Sequence, residues 1–186
     1  SNRYVKSIEN YGIYFLIFSR LNSTRLKGKA KLKIGKYSII EIIILRLLKK
    51  IPKNKIIICT SKNKNDNFYY KLAKKYNINI FFGSEKNYVL RIKKCIEKFK
   101  IKYFFRINGD NPLIDYDIFK YYISNLEKNK KYEYIYCNNI LRGTRTELIK
   151  SNTIFTLFKI IKNKYSSEYL TFYYFRNDLF LKKFFK

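Results

Sequence analysis

Six apolar residues in an unbroken row, Ile13-Tyr14-Phe15-Leu16-Ile17-Phe18, constrain this chain more than any other feature. A strand with no polar face is buried on both sides, as in a parallel sheet covered by helices. Similar runs follow at Ile56-Ile57-Ile58-Cys59-Thr60, Ile78 to Phe82, Tyr103-Phe104-Phe105-Arg106-Ile107 and Tyr134-Ile135-Tyr136-Cys137. Helical spacing separates them. Phe68, Leu72 and Tyr76 share one face, as do Val89, Ile92, Ile96 and Phe99, and again Ile118, Tyr122 and Leu126. Another helix begins at Ser38, with Glu41 at capping-box spacing, and runs to about Lys50 before Pro52. Asp115 is placed to cap the helix after the fourth strand.

Strand and helix therefore alternate, and such crossovers build a mostly parallel sheet with helices on both faces. The expected class is α/β and Rossmann-like. Beyond Cys137 the pattern is less regular, with helices expected near 151–162 and 167–176. Residues 1–11 read as an incoming linker or tag, and residues 12–186 as one domain large enough for a real core. Position 1 is not methionine and residues 180–186 are still rich in aromatics, so the polypeptide is expected to be incomplete at both ends, truncated at the C-terminus in particular.

Charge is a poor guide here. Lys+Arg number 41 against 13 Asp+Glu, a formal charge of +28, which by itself suggests nucleic acid. Yet lysine occurs in every segment, alanine only at positions 30 and 73, and Lys, Asn, Ile, Tyr and Phe dominate. A compositional bias of the kind an A/T-rich genome imposes accounts for the charge, so no specific nucleic-acid partner is expected. Histidine is absent, which excludes His-based triads and His metal ligands. Cys59, Cys95 and Cys137 form no CxxC pair, so neither zinc nor a disulfide framework is expected, and a reducing cytoplasm suits them. No secretory signal is visible, and the apolar run 39–48 is interrupted by Glu41 and Arg46 and too short to span a bilayer.

Two segments carry chemistry. The first strand runs directly into Ser19-Arg20-Leu21-Asn22-Ser23-Thr24-Arg25-Leu26-Lys27-Gly28-Lys29. In so basic a chain any loop looks cationic. This one is distinguished by arginine, whose planar fork matches phosphate oxygens. Arg20, Arg25 and Lys29 are spaced to surround a triphosphate, with Ser23, Thr24 and the amides near Gly28 completing the cradle. It is not a Walker loop, because the upstream glycine and the hydroxyl after Lys29 are missing. The second segment, Arg106-Ile107-Asn108-Gly109-Asp110-Asn111-Pro112-Leu113-Ile114-Asp115, leaves the fourth strand. Ligands of open α/β sheets bind beyond the carboxyl ends of the strands, so both segments belong to one rim. Asp110, stiffened between Gly109 and Pro112, is the expected Mg²⁺ ligand, with water and phosphate oxygens completing the shell.

These residues resemble the cytidylyltransferases that activate acidic sugars, in particular the spore-coat polysaccharide branch related to CMP-Kdo and CMP-neuraminate synthetases. The opening motif of that family is Arg, a short gap, then Ser-Thr-Arg-Leu-Pro-Gly-Lys; here it is Arg20 followed by Ser23-Thr24-Arg25-Leu26-Lys27-Gly28-Lys29. Thr60-Ser61 with Asp66, Phe82-Gly83-Ser84-Glu85 with Val89-Leu90, the 106–115 segment, Gly143 with Glu147, and Glu168-Tyr169-Leu170-Thr171 resemble further motifs. The resemblance implies a three-layer nucleotide-diphospho-sugar transferase-like fold and transfer of CMP from CTP to a 2-keto sugar acid, with release of pyrophosphate, for surface polysaccharide synthesis. It implies catalytic roles for Arg20, Lys29 and Asp110, and adds Asn108 to the nucleotide-binding set of Arg20, Ser23, Thr24, Arg25, Gly28 and Lys29. It implies that Glu147 and Thr171 contact the acceptor, and that a homodimer forms. Relatives also carry a late Val-Asp-Thr-Pro-Glu-Asp stretch supplying a second metal-binding acid, beyond the residues present here. Two rival expectations stand beside this one: a catalytically degenerate or glycosyltransferase-like nucleotide-binding relative, and a basic nucleic-acid-binding domain.

Overall fold

The structure, a computed structural model, describes residues 2–20, 28–62, 67–137, 144–161, 174, 178–180 and 182–185. The chain opens with α1 (Asn2–Asn10), β1 (Ile13–Phe18), the small ladder β2 (Lys33–Ile34) and β3 (Tyr37–Ser38), and α2 (Ile39–Leu48). Then come β4 (Ile56–Ser61), α3 (Asn67–Tyr76), β5 (Asn79–Gly83), α4 (Tyr88–Phe99), β6 (Tyr103–Asn108) and α5 (Tyr116–Lys128). The remainder is β7 (Tyr134–Cys137), β8 (Glu147–Lys150), α6 (Ser151–Ile161) and β9 (Lys182–Phe185).

Seven strands form one sheet in the order β5-β4-β1-β6-β8-β7-β9. Among the described residues, only β8 runs against the rest of this sheet, antiparallel to both β6 and β7. β1 is central, pairing in parallel with β4 and β6, and this explains why its sequence has no polar face. Successive residues point to opposite faces. Phe15, Ile17, Ile56, Ile58, Phe105 and Ile107 pack under α1, α2, α3 and α5. Leu16, Phe18, Ile57, Cys59 and Phe104 pack under α4 and α6. The expected α/β architecture, with helices on both faces, is what the structure has.

The predicted capping box is present. Ser38 Oγ accepts from the Glu41 amide at 3.4 Å, while Glu41 Oε2 accepts from the Ser38 amide at 3.0 Å. Glu41 Oε1 also accepts from Lys75 Nζ at 2.9 Å and from the Tyr76 hydroxyl at 3.0 Å, tying the start of α2 to the end of α3. Burial opposes ionisation of this carboxyl, but the bonds from Ser38, Lys75 and Tyr76 outweigh it and hold the pKa at about 2, below the ordinary 4.5. The folded value is the lower one. Its stabilisation is therefore complete above about pH 4.5 and lost as pH falls toward 2, up to roughly 3 kcal/mol. Urea midpoints of the wild type should fall over that window, and Glu41→Gln should lack this component of the fall; identical profiles for the two proteins would refute it.

Two expectations need correction. Residues 2–10 are not a linker but helix α1, in which Tyr4, Ile8 and the following Tyr11 recur at helical spacing and Ile8 is fully buried. Ser7 Oγ donates to Glu127 Oε1 at 2.6 Å, and the Tyr4 and Tyr116 rings meet edge-on at 5.3 Å, docking α1 on α5. Residues 147–150, read as irregular, are strand β8, because antiparallel pairing with β6 and β7 satisfies their backbone. A short hairpin of β2 and β3, turning at Gly35 with φ +62°, stands between the basic loop and α2. The helix expected near 167–176 lies outside the described residues apart from Tyr174. No helix among the described residues is long and apolar enough to cross a membrane.

Candidate functional site

Because β1, β4, β5 and β6 are parallel, their carboxyl ends open on one rim. Phe18 and Asn108, the last residues of β1 and β6, are in register, and the Gly109 amide donates to the Phe18 carbonyl at 2.8 Å. Glycine is required at 109. A Cβ there would come within 2.6 Å of Ser19 Cβ and 3.0 Å of the Phe18 carbonyl oxygen. The two loops therefore leave the sheet in direct contact, placing Arg20 and Asp110 each two residues from a paired strand end.

The basic loop returns to this rim at Lys29. Gly28 adopts φ +75°, a conformation glycine accepts without strain, and starts a 3-10 turn, Lys29–Lys31, anchored by buried Ala30. Lys29 Nζ then lies 3.1 Å from Asp110 Oδ2 across a sequence separation of 81. Their side chains are 44% and 42% exposed. An ion pair so open to water contributes little to stability, and its members are accessible to a ligand. Ser23, Thr24 and Arg25 lie outside the described residues.

On the other side of β1, Arg20 Nη1 donates to the Glu85 carbonyl at 3.0 Å, reaching the turn after β5. Neighbouring Ser19 shares a 2.6 Å hydrogen bond with the hydroxyl of fully buried Tyr69 on α3. The turn itself is set by short side chains. Ser84 Oγ accepts from the Asn87 amide at 3.0 Å, and Asn87 Oδ1 caps α4 by accepting from the Leu90 amide at 2.8 Å.

Glu147 stands opposite Arg106 on β8. It is 2% exposed, and its carboxylate accepts from Arg106 Nη1 at 2.7 Å and from the Tyr134 hydroxyl at 2.7 Å. Arg106 Nε donates to the buried Tyr88 hydroxyl at 3.2 Å. Burial opposes the charge on Arg106, but Glu147 beside it prevails and raises its pKa above the ordinary value. In this arrangement Glu147, expected to contact the acceptor, braces Arg106 inside the sheet. Thr171 lies outside the described residues. Asn108 sits half-buried at the end of β6, on the rim.

Asp110 fits a role in holding Mg²⁺. A carboxylate is the hard oxygen donor that this ion takes, and Asp110 presents one, partly exposed, at the rim. The described residues contain no group of three or more His, Cys, Asp or Glu that could cage a metal, so water and substrate oxygens would have to supply the remaining ligands.

Sequence reasoning missed Tyr69 and Arg91. Arg91 is 1% exposed on α4. A signal existed: it stands three residues after Tyr88 and four before Cys95, a cation on an apolar helical stripe.

The chain is similar to an uncharacterized protein, MJ1063, of Methanocaldococcus jannaschii, 32% identical over 170 residues, covering 91% of this chain and 70% of that one. It is 27% identical over 168 residues to the spore coat polysaccharide biosynthesis protein SpsF of Bacillus subtilis, covering 87% of this chain and 69% of the relative. Among solved structures, a cytidylyltransferase from Leptospira borgpetersenii superposes with a TM-score of 0.86 at 25% identity, over 94% of this chain and 75% of the other. The family model described as Cytidylyltransferase matches residues 14–186, nearly the whole chain, and the protein therefore belongs to the cytidylyltransferase family, whose chemistry is CTP-dependent nucleotidyl transfer.

Proposed function

We propose that this cytidylyltransferase activates an acidic sugar: it transfers CMP from CTP to a hydroxyl of a 2-keto sugar acid and releases pyrophosphate, for surface polysaccharide synthesis. The observation that carries this reading is the 3.1 Å contact of Lys29 with Asp110, which joins the cationic and acidic loops at one point of the rim. The resemblance of the sequence to the cytidylyltransferases of acidic sugars and the likeness to SpsF support the acceptor class.

The sugar hydroxyl gives up its proton to solvent as its oxygen attacks the α-phosphorus of CTP and the bond to the pyrophosphate oxygen breaks. Lys29 and Arg20, at the ends of the cationic loop, bear the charge that builds on the leaving pyrophosphate. Asp110 would hold Mg²⁺, which when bound neutralises phosphate charge. Gly109 keeps Asp110 against the end of β1, so that the carboxylate and the cationic loop act on the same phosphates. Catalysis is positioning and charge stabilisation, with no covalent enzyme intermediate.

The test is to incubate the protein with each nucleoside triphosphate, Mg²⁺ and a panel of 2-keto sugar acids, and to measure pyrophosphate. Release is expected with CTP and at least one sugar acid. A folded protein that releases none in any combination would instead be a nucleotide-binding relative that does not activate sugars.

A further inference from the structure

Arg91 is the largest fully buried side chain among the described residues, 1% exposed on the apolar stripe of α4. A guanidinium out of water is tolerated only when its donors are bonded. Arg91 Nε donates to the Ser84 carbonyl at 2.8 Å, and Nη2 to the Glu85 carbonyl at 3.4 Å. Its guanidinium lies 5.4 Å from the centre of the Tyr88 ring. Its stem passes so close to Gly83 that a Cβ there would come within 2.4 Å of Arg91 Cγ and 2.8 Å of Phe81 Cε1. Glycine at 83 thus makes room for Arg91, and Arg91 fastens the turn after β5 from inside the molecule.

The same Glu85 carbonyl receives Arg20 Nη1 at 3.0 Å. One main-chain oxygen accepts two guanidiniums, one from the core and one from the rim. The position of that oxygen therefore bears on where the fork of Arg20 points.

We propose that Arg91 is a positioning residue for nucleotide binding: it fixes the 84–85 turn, and through the Glu85 carbonyl holds Arg20 in the orientation that receives a CTP phosphate. This rests on the reading of Arg20 as a phosphate-binding residue. Arg91 itself touches no substrate. Its effect on the nucleotide passes through Arg20.

A double-mutant cycle on CTP affinity, read by calorimetry in Mg²⁺ buffer, tests this without knowledge of the acceptor. Arg20→Ala should weaken CTP binding tenfold or more, the order expected for a hydrogen bond to a charged group. Arg91→Met should weaken it about tenfold, while adding Arg91→Met to Arg20→Ala should cost less than about twofold more, because the path through Arg20 is already gone. Thermal melting is measured on every variant. A purely structural Arg91 would lower the melting temperature and leave the CTP affinity of the folded protein unchanged. If the Met variant does not fold, Arg91→Lys replaces it in the same cycle, since lysine keeps the charge but lacks the fork that reaches both carbonyls. Wild-type affinity in the Arg91 variant, or losses that multiply in the double variant, overturns the proposal. Unchanged binding in Arg20→Ala removes instead the reading of Arg20 on which it depends.

Discussion

Asp110→Ala is expected to lower turnover about 100-fold or more, and Lys29→Ala by a similar factor, the loss typical of removing one preorganised charge-stabilising group. The two side chains approach to 3.1 Å at the rim, yet are 44% and 42% exposed, so their mutual attraction contributes no more than about 1 kcal/mol to folding. Neither variant should melt appreciably earlier than the wild type. That separation gives the experiment its force: the functional loss should be large and the structural loss small. Steady-state pyrophosphate release and thermal melting, measured together, check it. Near-wild-type turnover in either variant would remove that residue from the chemistry; a collapse in melting temperature would show that the pair holds the fold instead.

The opposite balance is expected for Glu147. Removing one member of a buried, hydrogen-bonded ion pair leaves an uncompensated charge, and Glu147→Ala should destabilise the protein by about 3–5 kcal/mol. The partner is Arg106, 2.7 Å away, with side-chain exposures of 12% for Arg106 and 2% for Glu147. The Tyr134 hydroxyl would lose its acceptor as well. Replacing both charges by Leu and Met should recover much of this loss, since apolar packing rivals a buried pair. Urea denaturation of the single and double variants decides the matter. A change within about 1 kcal/mol for Glu147→Ala would mean that water reaches the carboxylate.

The rim was legible because each of its parts obeys a local or topological rule. An apolar run with no polar face needs neighbours on both edges, and β1 has them. Parallel strands send their exits to one edge, so the loops after β1 and β6 share a rim; that they touch follows from β1 and β6 being neighbours in the sheet. The Ser38–Glu41 box spans three residues and is written in the chain directly. What escaped was nonlocal. Arg106 and Glu147 are 41 residues apart on antiparallel strands, and reversal of β8 follows no pattern in four residues. The docking of α1 depends on α5, more than a hundred residues later, and Tyr69 reaches Ser19 over a sequence separation of 50.

By itself, the sequence determined the strand and helix alternation, the parallel sheet, and the placement of Arg20, Lys29 and Asp110 on a shared rim, because periodicity and chain direction are properties of short segments. Only the tertiary structure decided which groups brace that rim from within. A hydrogen bond between residues distant in the chain depends on packing, and nothing in the identity of Arg91 or Glu147 announces which carbonyl or cation the fold will bring to it.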